Sequence, residues 1–139
     1  MSGVADVPEG FTPLADGGPF VDLVGPIYAG PTGAVGVRVE DRHLNRAGTA
    51  MGGFLATLVD VAFGRAIRSV SDDDAKIATV SLTTDYLRVA PHGAWLEART
   101  DVERLGGRLA FADCSVRGDG EELVRARAVF AVRSGDGEG

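Results

Sequence analysis

The chain has 139 residues, enough for one domain with a real core, and a formal net charge of −6 that argues against a nucleic-acid partner. A single cysteine, Cys114, rules out an internal disulfide framework and fits a reducing compartment. The acidic, Gly/Pro-rich N-terminus lacks a signal-peptide pattern and no apolar run is long enough to span a membrane, so a soluble cytoplasmic protein is expected.

Residues 1–33 read as a Gly/Pro-rich lead-in, in which Phe20-Val-Asp-Leu-Val24 suits one or two helical turns covering the core. Val35, Val37 and Val39 alternate with smaller or polar residues and predict a first strand. A loop from Asp41 to Thr49 carries His43 and Asn45, and a helix follows from about Met51 to Ser69. The Ser71-Asp-Asp-Asp74 cluster stops it. Four strands come next. Ala78, Val80 and Leu82 are expected to face one way and Thr79, Ser81, Thr83 and Asp85 the other. The same alternation runs through residues 94–103, 110–117 and 124–133, with turns at Pro91-His-Gly93, Gly106-Gly107 and Gly118-Asp-Gly120. Residues 134–139 read as a flexible tail. The chain therefore reads as a single α+β domain, 1–139, with an antiparallel sheet curved around one long central helix.

Within that helix, Phe54 to Ile67 is apolar on nearly every side, which predicts a buried helix. Asp60 lies in its middle, where a carboxylate is costly unless hydrogen-bonded or put to use. A purely structural Asp is the plainer reading. Against it stands Gly52-Gly53, which leaves bare backbone N–H groups at the positive end of the same helix. A carboxylate and an oxyanion-binding helix start within ten residues point to acyl transfer or hydrolysis.

The string from Asn45 through Met51-Gly-Gly to Asp60 resembles the hot-dog-fold acyl-CoA thioesterases, and most closely the phenylacetic-acid-degradation branch. The resemblance extends over roughly residues 18 to 133, including Tyr86-Leu-Arg-Val-Ala-Pro91 and Leu105-Gly-Gly-Arg108. It implies hydrolysis of an acyl-CoA, with Asp60 as base or nucleophile and the Gly52 N–H on the thioester carbonyl. It further implies that Asn45 positions carbonyl or water and that the hydroxyl of Thr79 assists. No metal or redox cofactor is called for, and coenzyme A enters only as part of the substrate. The family usually has His before Gly-Gly, where this chain has Met51, which offers no N–H donor.

Gly52 and Asp60 lie eight residues apart, about 12 Å along one helix. They cannot meet on one carbonyl within a single chain, so a site shared across a homodimer is expected; the resemblance adds a dimer of dimers. Met51 and Gly53 would line the substrate site. Arg88 and Arg108 are either solvated charges or contacts for the phosphates of coenzyme A. Asn45 has an alternative role as a turn cap, and Thr79 as a plain solvent-facing strand residue. His92 reads as a turn residue, and Cys114 as inert packing. The competing function, favoured by Met51, is a non-catalytic acyl-CoA-binding or regulatory protein of the same fold. A hydratase fits less well, because no Asp/His pair follows the first helix. Small inward residues and Met51 point to an aryl or medium apolar acyl group.

Overall fold

Period-two patterning becomes one antiparallel sheet in the computed structural model, which describes residues 6–72 and 74–133. Its strands are β1 (Thr12–Pro13), β2 (Tyr28–Ala29), β3 (Val35–Arg38), β4 (Lys76–Tyr86), β5 (Trp95–Leu105), β6 (Leu109–Gly118) and β7 (Glu121–Arg133). They lie in the order β1-β2-β3-β5-β6-β7-β4, so β4 forms one edge. The helices are α1 (Pro19–Val24) and α2 (Gly52–Ser69). The expected architecture, one antiparallel sheet around one long helix, is the one the chain adopts. The expected tail at 134–139 and Asp73 of the helix-stopping cluster lie outside the described residues. Ser71 does end α2, its hydroxyl donating to the Ile67 carbonyl at 2.7 Å.

The lead-in belongs to the sheet. β1 and β2 pair with each other, and β2 pairs with β3. Aromatic stacking holds this segment down: Phe11 meets Trp95 edge-on at 5.2 Å, and Tyr28 lies 5.6 Å from the same ring. Gly30 and Gly36 make this possible, since a Cβ at either would overlap the Phe11 or Trp95 ring.

Two expectations need correction. First, α2 is amphipathic rather than buried all round. Phe54, Leu55, Leu58, Val59, Ala62, Phe63 and Ile67 form its buried stripe, at the spacing that faces a core. Gly53, Thr57, Asp60, Gly64 and Arg65 lie outside that stripe, and Asp60 is half-buried. The open face looked apolar because it carries small residues, which are not driven strongly inward.

Second, the inward set of β4 is shifted. Thr79 opposes Phe130 and Leu82 opposes Ala128, and both partners are buried. Directly opposed residues share a face, so Ile77, Thr79 and Leu82 all turn toward α2. A register shift between Thr79 and Ser81 bulges Val80, which is 61% exposed. One inserted residue reverses the parity of a strand. Thr79 therefore reaches the helix instead of facing away with Ser81 and Thr83.

Among the described residues, the outer side of β4 is an unpaired edge 11 residues long. Such an edge is a template for pairing with another chain. Among the described residues, no helix is long and apolar enough to cross a membrane.

Candidate active site

Asp60 and Thr79 meet. The Thr79 hydroxyl donates to Asp60 Oδ1 at 2.8 Å, a contact created by the bulge in β4. One carboxylate oxygen is thereby fixed, and the other has no partner among the described residues. The pair opens into a cavity of about 520 Å³ between α2, β4 and the lead-in. Replacing Thr79 with Val keeps the β-branched shape and removes the hydrogen bond. A hydrogen bond to a charged group contributes about 1.5–3 kcal/mol, so Thr79→Val should lower turnover that depends on Asp60 by about 10- to 100-fold with little change in KM. Unchanged kcat in steady-state assays would reduce Thr79 to a strand residue.

The second half of the expected site lies at the start of α2. Met51 is the N-cap and provides no side-chain cap. Its carbonyl accepts the N–H groups of Phe54 and Leu55 at 2.9 and 3.0 Å. The N–H groups of Gly52 and Gly53 have no acceptor among the described residues. This is the arrangement an oxyanion site requires. Met51 is 53% exposed beside it. Gly52 does not line the Asp60 cavity, in keeping with the axial separation of the two residues.

Tyr86 supports this helix start, a role that its place in the Tyr86–Pro91 motif does not reveal. Its hydroxyl donates to the Gly52 carbonyl at 2.7 Å, and its ring lies where a Cβ on Gly52 would touch it at 3.4 Å. Burial pushes the phenol upward, so it remains protonated as a donor. The rest of that motif latches the preceding loop, with Ala50 N–H donating to the Ala90 carbonyl at 2.9 Å.

Asn45 serves its own loop. Its Oδ1 accepts the N–H of Ala47 at 2.9 Å and of Thr49 at 3.2 Å, and its Nδ2 donates to Thr49 Oγ1 at 3.2 Å. This is the turn-capping role. Arg88 pairs with Glu121 at 3.2 Å, with both side chains more than half exposed. The carbonyl of Arg108 accepts Val132 N–H while its side chain is exposed. Neither arginine lines the Asp60 cavity. Cys114 is buried and its thiol is pushed up to about 11 by burial, as inert packing requires.

His43 is part of the scaffold. It is 2% exposed, stacks on Phe54 at 3.9 Å, and lies between two backbone groups. Glu40 N–H donates to Nδ1 at 3.0 Å, so the proton sits on Nε2, which donates to the Val24 carbonyl at 2.6 Å. This neutral ring joins the end of α1 to the start of α2. Burial lowers its pKa, opposed by the Val24 bond. An unfolded chain therefore takes up the proton first, and stability falls as pH drops below the ordinary value of 6.5. Thermal unfolding should show a midpoint that declines from pH 7.5 to 5.5, and the decline should flatten in His43→Gln. An equal slope in both proteins would place the titration elsewhere.

A sequence model of the thioesterase superfamily matches residues 47–125, which include the α2 helix and the Tyr86–Pro91 latch. The chain belongs to the thioesterase superfamily. This thioesterase-family chain is 41% identical over 130 residues to a Pseudomonas aeruginosa protein named "Putative esterase PA0474", covering 90% of this chain and 96% of that one. Its fold is similar to a mutant form of the phenylacetic acid degradation protein PaaI from Thermus thermophilus, with TM-score 0.71 and 30% identity over 82% of this chain and 98% of that one. The fold is also shared with the BH2602 protein of Bacillus halodurans, solved with CoA, at TM-score 0.75 and 22% identity, covering 81% and 74% of the two chains. The architecture expected from the sequence, the hot-dog thioesterase fold, is thus the one present.

Proposed function

We propose that this chain hydrolyses an acyl-CoA thioester, with an aryl or medium apolar acyl group, at a site shared by two subunits. The observation that carries this reading is the Thr79–Asp60 pair open to a cavity in a thioesterase-family chain. Asp60 accepts a proton from water as the water oxygen bonds to the thioester carbonyl carbon. The developing oxyanion sits on the Gly52 N–H of the partner subunit. Collapse of the tetrahedral intermediate breaks the C–S bond, and the proton passes from Asp60 to the departing thiolate. The products are the free acid and the thiol. The dimer is supported by two features: the separation of Gly52 from Asp60 along α2, and the long unpaired edge of β4. The similarity to PaaI supports an aryl acyl group.

A panel of aliphatic and aryl acyl-CoA esters, read by thiol release, tests the reading. Hydrolysis of at least one ester supports it, and tight binding of esters without turnover supports the binding-protein alternative that Met51 favours. Met51 supplies the comparison within one protein. It lies exposed at the oxyanion end and offers no hydrogen-bond donor. Met51→His adds one donor and should raise kcat/KM by at most about 10²-fold. A fall in kcat/KM on adding the histidine would mean that Met51 belongs to a different site design.

A further inference from the structure

The cavity that holds Asp60 and Thr79 is also lined by the apolar Leu14, Val21, Val61 and Ile77 and by Asp16, Arg65 and Arg68. Gly64 keeps it open, because the nearest side-chain atom to a Cβ placed there would be Ile77 Cδ1 at 3.9 Å. From Asp60 the two arginines lie about 7.5 and 12 Å along the helix axis. Among the described residues, Arg65 has only a long contact of 3.9 Å, to Asp16, whose side chain is 85% exposed. Arg68 has no hydrogen-bond or ion-pair partner among the described residues. A pocket for a purely apolar tail would close with apolar side chains. Two guanidiniums with one weak counter-charge, in a chain of net charge −6, instead suit a planar anion.

We propose that this cavity selects acyl groups with an apolar body and a terminal carboxylate, that is, monothioesters of dicarboxylic acids, with Arg65 and Arg68 holding the distal carboxylate. The proposal rests on the thioesterase reading above and adds a terminal carboxylate to the apolar acyl body named there. The acyl carbonyl lies at Asp60, the methylene chain passes over Gly64 between Val61 and Ile77, and the carboxylate reaches the arginines at the rim.

The test uses the full chain with hexanedioyl-CoA and octanedioyl-CoA against hexanoyl-CoA and octanoyl-CoA. The dicarboxylic ester should be preferred roughly five- to tenfold in kcat/KM, mainly through KM, as expected for partly exposed charge pairs. The preference should collapse in Arg65→Met/Arg68→Met, with thermal unfolding used to verify that this variant is folded. Hydrolysis of octanoyl-CoA with no preference for the diacid would overturn the proposal and leave the thioesterase reading standing. A preference that survives in the double variant would also overturn it. Calorimetric titration of the Asp60→Asn protein with the same four esters separates binding from turnover. Neither binding nor hydrolysis of any of the four esters would overturn the proposal, while the thioesterase reading stands or falls on the wider panel of aliphatic and aryl esters.

Discussion

Asp60→Asn should lower kcat by about 10²-fold or more while the protein stays folded. The substitution is nearly isosteric. Asn can still accept the Thr79 hydroxyl that now bonds Oδ1 at 2.8 Å, so the local geometry has no reason to collapse. What disappears is the proton acceptor, and positioned acid–base groups contribute about 10²- to 10⁴-fold. Asp60 is only half-buried beside an open cavity, so removing its charge does not leave a buried partner stranded. The decisive measurements are steady-state kinetics on the best ester and the thermal midpoint of both proteins. Equal turnover would remove Asp60 from the chemistry. A collapsed fold would make it a structural residue.

Gly52→Pro should cost about 10²- to 10³-fold in kcat, the loss found when one oxyanion donor is removed. Proline is accepted at the first position of a helix, because its missing N–H has no intrahelical partner there. Gly52 holds that position, directly after the N-cap Met51. Met51 already has the extended backbone that a residue before proline prefers, with φ −67° and ψ 138°. The change therefore deletes one N–H and little else. It also allows a test of the shared site, since Asp60→Asn damages one half-site and Gly52→Pro the other. Random reassociation of the two inactive proteins gives half heterodimers, each with one intact site of two, and about a quarter of wild-type activity should return. If the mixture stays inactive while heterodimers demonstrably form, both halves of the site belong to one chain.

Much of the molecule was legible in short-range patterns. Period-two alternation marks a strand with one covered face, and four such runs after one long helix leave few architectures open. The ends of α2 followed from local chemistry: Gly52-Gly53 opened it and Ser71 closed it. Asp60 stood out because a charge among apolar neighbours demands a reason. Two readings failed where a local pattern met a non-local decision. The open face of α2 looked buried because small residues such as Gly53 and Gly64 carry no sign of which side they face. The parity of β4 was reversed by the bulge at Val80, which is set by pairing with β7 and leaves no mark in the alternation.

The sequence by itself determined the family, the antiparallel sheet around α2 and the placement of a carboxylate and two free glycine amides on one helix, because each depends on residues close together along the chain. Only the tertiary structure decided which hydroxyl meets Asp60, that Asn45 Oδ1 closes its own turn, and that Leu14 and Val21 reach back to line the cavity. Those outcomes depend on segments tens of residues apart being brought together by the register of the sheet and by the packing of the lead-in against α2. Periodicity sets which face of an element is apolar, but what that face touches is settled by the other elements folded against it.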